Sequence, residues 1–243
     1  MKLVAWNCRG LSSSRAVRAL LEVQGRINPD VFFLSETHLD NAKAEKVRRR
    51  TGFDHKALFE SDGRSGGLLL LWKSETNIQV NAVTKNYIDV VVDEEGGWRF
   101  TGVYGEPEWN KKIATWEAIR SIKGDSSTPW LIMGDFNEIL YNSEKGGRPR
   151  TQRQLQAFHD VLSECALNDV GFVGDLFTWR RGQIRERLDR AIANLQWSNL
   201  YPQSMLVNSE SIRSDHRPIV MDTNYLAPPD SGSTKKRFEA RWL

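Results

Sequence analysis

The chain has 243 residues, of which 40% are hydrophobic and 27% charged, which suits one compact globular domain or, at a stretch, two. The formal net charge of +3 permits an anionic partner without demanding one. Cys8 and Cys165 have neither metal-ligand spacing nor a disulfide framework, which indicates a reducing, intracellular compartment, and the longest apolar run, Leu68–Trp72, is too short to cross a membrane.

The first half of the chain predicts strands with a few short helices. Apolar runs predict buried strands at residues 2–6 and 31–34, with a helix between them that Pro29 ends. Residues 40–50 predict a short polar helix. Turn signals separate the next predicted strands, which would form antiparallel ribbons folded into a sheet, at residues 66–72, 78–83, 87–92 and 99–104.

The second half alternates helices and strands. Helices are predicted at residues 108–122, 151–167 and 194–200, with Ile113, Trp116 and Ile119 on one face of the first. The remaining strands are predicted at residues 131–133, 177–180, 185–191, 205–208 and 218–222, the second and third of them as a hairpin. Pro, Ser, Gly and Lys dominate residues 227–236, so we expect the domain to end near residue 226 and a linker and tail to follow at 227–243.

The run Gly134-Asp135-Phe136-Asn137 follows the predicted strand at residues 131–133. Because side chains alternate along a strand, Asp135 and Asn137 would face one rim while Phe136 points back into the core. This pair can hold a divalent cation, or orient a water and a phosphate oxygen. The same residue types also favour a tight turn. A turn is the weaker explanation, because further polar clusters follow other predicted strands.

Two further polar residues follow predicted strands, and a third ends one. Asn7 could serve a metal or phosphate site, although this run alone fits an ordinary strand-end turn better. Glu36 fits a hard-cation ligand and a solvated strand end equally well. The hydroxyl of Tyr104 could donate to a phosphate oxygen, or the side chain could be half-buried at the rim of a sheet.

The run Ser214-Asp215-His216 precedes the last predicted strand. His216 can polarise a phosphate or protonate a leaving group when a carboxylate holds its tautomer, and Asp189 is the candidate carboxylate; a surface turn is the alternative. The combined set is rich in acids, with one His and no nucleophilic Ser or Cys arrangement. It suits metal-assisted hydrolysis of a phosphoester.

The order of these motifs resembles the endonuclease/exonuclease/phosphatase superfamily, with the deoxyribonuclease I-like fold, over residues 1 to about 226. Within it, the chain is similar to the apurinic-type endonuclease domain of plant LINE-type (non-LTR) retrotransposons. The runs that carry this similarity include residues 6–11, 36–39, 134–140, 144–147, 177–179 and 188–191. In such elements a reverse transcriptase follows, and residues 237–243 are similar to the junction that leads to it.

The resemblance implies an α/β fold: a four-layer sandwich of two packed mixed β-sheets flanked by helices. It implies nicking of one strand of double-stranded DNA with Mg²⁺, or alternatively Mn²⁺, to leave a 3′-hydroxyl that primes reverse transcription. A nuclear location follows from that substrate. The residues that would form the active site are Asn7, Glu36, Tyr104, Asp135, Asn137, Asp189, Ser214, Asp215 and His216.

The resemblance also implies roles for these residues. Glu36, Asn7 and Asp215 would hold the metal. The attacking water would be oriented or deprotonated by Asp135, helped by Asn137. The scissile phosphate would be contacted by Tyr104 and His216, the latter paired with Asp189, while Ser214 would complete the site. The pattern departs from that of apurinic endonucleases at Arg9, where they often carry an Asp.

Two groups of arginines lie just downstream of site motifs and would grip DNA phosphates. One group surrounds the predicted hairpin: Arg180, Arg181, Arg185, Arg187 and Arg190, together with Thr178. The other comprises Arg148, Arg150 and Arg153. Two alternatives remain: a phosphatase of the same fold acting on small phosphoesters, and a catalytically silent copy that only binds nucleic acid.

Overall fold

The structure, a computed structural model, describes residues 1–226 except residues 64, 65, 95, 211 and 213. The predicted linker and tail at residues 227–243 lie outside the described residues, so the predicted domain end stays a prediction. The helices are α1 Ser14–Ile27, α2 Asn41–Thr51, α3 Lys112–Ser121, α4 Gln152–Glu164 and α5 Leu195–Leu200. Two 3-10 turns cover Trp109–Lys111 and Asn142–Glu144.

The first eight strands are β1 Lys2–Asn7, β2 Val31–Ser35, β3 His55–Phe59, β4 Leu68–Trp72, β5 Ile78–Val83, β6 Tyr87–Val92, β7 Trp98–Tyr104 and β8 Trp130–Asp135. The others are β9 Asn168–Asp169, β10 Val173–Gly174, β11 Trp179–Arg181, β12 Ile184–Glu186, β13 Asp189–Ala193, β14 Met205–Asn208 and β15 Ile219–Asp222.

These strands form two large sheets and one hairpin. The first sheet has the order β10-β14-β15-β1-β2-β4-β3, and the second has the order β5-β6-β7-β8-β13-β9. Both sheets are mixed, since β1 is parallel to β2 and antiparallel to β15, while β8 is parallel to β7 and antiparallel to β13. The strands β11 and β12 form a separate two-stranded hairpin.

The apolar runs of the sequence are explained by burial on both faces of the central strands. On β2, Val31 and Phe33 belong to the core between the two sheets, whereas Phe32 and Leu34 pack under α1 and α2. On the second sheet, the outer face packs against α3 and α4. The predicted four-layer arrangement of two sheets between helices is therefore confirmed.

The structure differs from the sequence prediction at several elements, among them the two-residue strands β9 and β10, which were not predicted. The edge strand β3 was not predicted, because its sequence shows no clean alternation of apolar and polar residues. The strand β4 joins the first sheet, not the ribbon of β5, β6 and β7. The predicted second hairpin strand is two strands, since the chain leaves the hairpin after Glu186 and enters the second sheet at Asp189.

The buried face of α3 also differs from the prediction. Ile113 is 55% exposed, whereas Trp116 and Ile119 are buried. Lys112 takes the buried position one residue earlier, because its ammonium donates to the backbone oxygen of Asn137 and pairs with Glu138. A polar contact therefore sets the rotation of this helix.

Candidate active site

The strand register brings the predicted site residues to one edge of each sheet. In the second sheet, Tyr104, Asp135 and Asp189 form one row across β7, β8 and β13. In the first sheet, Asn7 at the end of β1 is level with the end of β2, and Glu36 follows directly. The two edges face each other, so a site forms between the sheets.

A triad of Asp135, His216 and Asp189 occupies the buried part of this edge. His216 Nδ1 lies 2.9 Å from Asp189 Oδ2, and its Nε2 lies 3.6 Å from Asp135 Oδ2. All three side chains are buried. Asp189 therefore orients the imidazole so that its other nitrogen faces Asp135, as the sequence suggested for Asp189.

Burial and mutual charge shift the pKa values of this triad. Burial raises the pKa of Asp135 to about 7, with Asp189 adding to the rise and His216 opposing it. Burial lowers the pKa of His216, but the carboxylates of Asp189 and Asp135 outweigh it and bring the pKa to about 9. Asp135 thus suits a general base near neutral pH, while His216 is an imidazolium that can stabilise phosphate charge.

Asn7 ties the two sheets together through its carboxamide nitrogen. Nδ2 donates to Asp135 Oδ2 at 2.9 Å and to Glu36 Oε1 at 3.1 Å. Oδ1 accepts the backbone N–H of Arg9. In this orientation Asn7 is a donor that holds two carboxylates in place, and its role as a metal ligand stays a prediction.

Tyr104 lies beside the same carboxylate. Its hydroxyl donates to Glu36 Oε1 at 2.7 Å, and burial together with Glu36 raises the pKa of the phenol above its ordinary range. Asn137 contacts the same hydroxyl and donates to the backbone oxygen of Gly105. The phenol therefore keeps its proton and is available as a hydrogen-bond donor at the site.

The run from Ser214 to His216 is held against both sheets. The Ser214 hydroxyl donates to the backbone oxygen of Asn7 and accepts the N–H of His216. Asp215 Oδ2 accepts the indole N–H of Trp179 at 2.9 Å. Ser214 therefore positions its neighbours, and Trp179, which the sequence reasoning did not select as a site residue, fixes Asp215.

Two sets of side chains could hold a divalent cation. Asp135, Asp189 and His216 each offer a ligand atom within 4.8 Å of the others. These atoms are already paired with one another. The second set is Glu36 and Asp215, where Asp215 Oδ1 is buried and accepts no hydrogen bond within the described part of the chain. A carboxylate oxygen that accepts no directed hydrogen bond fits a hard cation, although the Arg9 guanidinium lies beside it, so Glu36 and Asp215 are the better candidate ligands.

The backbone of this edge is strained at several functional positions. Arg9, Glu36 and Asn137 adopt φ values of 48°, 51° and 52°, which non-glycine residues rarely occupy. Gly134 has a φ of 147°, and a Cβ there would lie 2.0 Å from the oxygen of Val103. The close approach of β7 to β8 explains why glycine precedes Asp135, and strain of this kind gathers at functional sites.

The hairpin of β11 and β12 is joined to the active-site edge. The N–H of Arg180 donates to the backbone oxygen of Asp215, and Trp179 bridges to His216. The side chains of Arg180, Arg181 and Arg185 are exposed. Three exposed guanidinium groups therefore stand beside the site, with that of Arg185 over the ring of Phe177 at 5.0 Å, as the prediction of a DNA-contacting hairpin requires.

Thr178 was predicted to contact DNA, but its side chain is buried. Its hydroxyl accepts the N–H groups of Leu188 and Asp189 at 3.0 and 2.9 Å. Thr178 therefore acts by fixing the backbone of Asp189. Nothing in the sequence distinguishes this role from direct DNA contact, because both need a small hydroxyl beside the basic hairpin.

Two of the arginines predicted at the DNA surface are inside the protein. Arg190 is fully buried and contacts Glu144 at 2.7 Å and Asp169 at 2.8 Å, while Arg187 pairs with the same two carboxylates. The prediction that Arg187 and Arg190 grip phosphates is wrong. The network also explains the motif at residues 144–147, since Glu144 supports the strand that carries Asp189.

The second arginine group is divided in the same way. Arg148 and Arg153 are exposed and free to meet a polyanion. Arg150 instead pairs with Glu138 at 2.9 Å and Glu186 at 3.0 Å. Composition alone could not separate these roles, because the acidic partners come from distant parts of the chain.

A cavity of about 810 Å³ lies away from this edge, between α4 and α5, and includes Leu162, Trp197 and Tyr201 among its walls. None of the predicted site residues lines it.

In the described part of the chain, no helix has the length and apolar character needed to span a bilayer.

Comparison with known structures finds the same fold. A 3′-5′ exonuclease from Neisseria meningitidis matches with a TM-score of 0.69 and 17% identity, covering 93% of this chain and 100% of that one. The endonuclease domain of TRAS1, a telomere-specific non-LTR retrotransposon, has a TM-score of 0.68 and 14% identity, covering 90% and 96%. An AP endonuclease from Archaeoglobus fulgidus has a TM-score of 0.67 and 15% identity, covering 91% and 98%.

Sequence comparison adds the family. A comparison with curated protein sequences finds no match. The family model described as "Endonuclease/Exonuclease/phosphatase family" matches residues 4–216, a span that runs from β1 to His216 and so contains the whole candidate site. The chain therefore belongs to the endonuclease/exonuclease/phosphatase family.

Proposed function

We propose that this protein is a divalent-metal-dependent DNA endonuclease that nicks one strand and leaves a 3′-hydroxyl end. The family and the structural neighbours support a hydrolytic phosphoesterase or nuclease of this fold. The observation that carries the step to DNA is the hairpin with Arg180, Arg181 and Arg185, which is hydrogen-bonded to the loop of Asp215 and His216. A long polyanion needs such a positive surface beside the reacting phosphate, and a small phosphoester does not.

The residues of the site have different roles in the proposed reaction. Asp135, with its pKa near neutral, accepts a proton from the attacking water. His216 and the Tyr104 hydroxyl stabilise charge on the phosphate. Glu36 and Asp215 would hold Mg²⁺ or Mn²⁺, which supplies Lewis-acid polarisation of a phosphate oxygen when bound.

The biological setting is also part of the proposal. The motif order of plant LINE-type elements and the TRAS1 endonuclease among the structural neighbours support a role in target-primed reverse transcription. In that setting a reverse transcriptase domain belongs to the full-length protein, and the protein acts in the nucleus on double-stranded DNA. One neighbour, a 3′ phosphatase from Neisseria, is described as bound to a product DNA hairpin.

The function is tested by conversion of supercoiled plasmid to open circles with titrated Mg²⁺. We expect nicking with Mg²⁺ and none with EDTA. Glu36→Gln should raise the Mg²⁺ concentration needed by about 10- to 100-fold, because a metal ligand is weakened. Nicking with an unchanged Mg²⁺ requirement would come from a contaminant, and hydrolysis of small phosphoesters without nicking would favour the phosphatase.

The hairpin is tested by the salt dependence of DNA binding. Arg180→Ala combined with Arg181→Ala should weaken binding and reduce the slope of log K against log salt by about 2, close to 0.9 for each lost phosphate contact. Arg49→Ala combined with Arg50→Ala is the matched control, since both side chains are exposed at the end of α2. An unchanged slope in the hairpin variant would remove the hairpin from the DNA surface.

A further inference from the structure

Arg9 lies between the two carboxylates assigned to the metal. Its Nε is 2.9 Å from Asp215 Oδ1 and 4.0 Å from Glu36 Oε2. The Arg9 side chain is 45% exposed, whereas those of Glu36 and Asp215 are 20% and 19% exposed. A positive group of the protein itself therefore stands where a divalent cation would be attracted.

The backbone under this side chain is fixed. The N–H groups of Gly10 and Leu11 donate to the backbone oxygens of Glu36 and Thr37 at 2.7 and 2.8 Å. The N–H of Arg9 donates to Asn7 Oδ1. These bonds anchor the turn to the end of β2, so a displacement of Arg9 would fall on its side chain.

The contact is held by charge and not by a directed hydrogen bond. Asp215 Oδ1 accepts no hydrogen bond from the described residues although Arg9 Nε is close. A guanidinium carries one positive charge and a divalent cation carries two, so both are attracted to the same oxygens and repel each other. Both cannot occupy this position at once.

We propose that Arg9 is an internal competitor for the divalent cation, which must displace the guanidinium from Asp215 and Glu36 in order to bind. The inference rests on the proposed function, because it needs a metal at these carboxylates. Arg9 neutralises them while the metal is absent, and it swings toward solvent when the metal arrives. The affinity for the metal is thereby lower than the two carboxylates alone would give.

The test is direct Mn²⁺ binding to the whole protein, measured by electron paramagnetic resonance of the free ion. Arg9→Gln should lower the Kd for Mn²⁺ by about fivefold, the factor expected from a partly exposed ion pair. Arg9→Lys should stay near the wild-type value because it keeps the charge. Arg49→Gln, an exposed arginine on α2, is the control and should change nothing.

A second measurement separates charge from structure. In EDTA, Arg9→Gln should unfold at a lower temperature than wild type, and Mn²⁺ should raise its melting temperature by more. If wild type and Arg9→Gln bound Mn²⁺ equally well and Glu36→Gln did not bind it, the competitor role of Arg9 would be overturned. The proposed function would then still stand. Binding of Mn²⁺ by none of these proteins would overturn both.

Discussion

Asp189→Asn is expected to lower the rate of plasmid nicking by about 10³- to 10⁴-fold, the scale seen when the carboxylate that orients a catalytic imidazole is replaced. Asp189 Oδ2 accepts the Nδ1–H of His216 at 2.9 Å, whereas an amide can present an N–H there instead. The imidazolium would then lose the carboxylate that stabilises its charge and fixes its orientation toward Asp135. The fold should survive, because the Thr178 hydroxyl accepts the backbone N–H groups of residues 188 and 189, and these bonds do not involve the side chain of Asp189.

A second expected result concerns the pH dependence of nicking by Asp189→Asn. The pKa of His216 is raised to about 9, chiefly by Asp189 against the effect of burial, so the imidazolium is present at neutral pH and lost above about pH 9. Removing the negative charge of Asp189 lowers that pKa. The alkaline fall in the remaining activity should therefore begin at lower pH in Asp189→Asn.

Asp93→Asn is the matched control for this variant. Asp93 is exposed, contacts Asn77 and follows β6 at the end of the sheet opposite to Tyr104. We expect wild-type nicking from it. Wild-type nicking by Asp189→Asn, or an alkaline limb that does not move, would show that His216 does not depend on Asp189.

Arg190→Met is expected to lower the free energy of unfolding by about 3 to 5 kcal/mol, the scale for breaking a buried ion pair. Arg190 is fully buried and contacts both Glu144 and Asp169. Methionine fills the space but leaves the two carboxylates with Arg187 as their only arginine partner within the described residues. Urea unfolding followed by tryptophan fluorescence measures the change.

At low pH, the difference in stability between Arg190→Met and the wild type should grow. Burial raises the pKa of Asp169, but Arg187 and Arg190 outweigh it and hold the pKa at about 2. Since an unfolded Asp titrates near pH ~3.9, its stabilisation is full above that pH and is lost as the pH falls toward about 2. Without Arg190 the pKa of Asp169 rises, so the loss of stability should begin at higher pH.

Arg120→Met provides the comparison for Arg190→Met. Arg120 pairs with Glu164 on the surface, where both side chains are substantially exposed. Its loss should change the free energy of unfolding by less than about 1 kcal/mol. Equal effects of the two substitutions would mean that the buried network contributes no more than a surface pair.

Much of the fold could be predicted because the strands are buried on both faces and read as continuous apolar runs. The pairing of the strands could not be predicted in the same way. Apolar runs do not encode which sheet a strand joins, so β4 was grouped with the ribbon of β5 to β7. The end of β12 was missed because Leu188, which packs with Ile139 and Leu155, continues the apolar pattern across the break.

The site was found because its polar residues follow strands whose ends meet. Which arginines face solvent could not be predicted, because the sequence shows a charge without showing its partner. Arg187 and Arg190 meet Glu144 and Asp169 from other elements. Trp179 carried no polar signal, yet its indole N–H fixes Asp215.

The pairing of β1 with β15 has a consequence for how the protein is made. The strand with Asn7 lies beside the strand that follows His216, so the first and last described strands are neighbours in the sheet. On the ribosome, residues 1–7 emerge long before residues 215–222 exist. The site therefore cannot assemble during most of synthesis, because Ser214, Asp215 and His216 join it only once the last described strand has folded against the first.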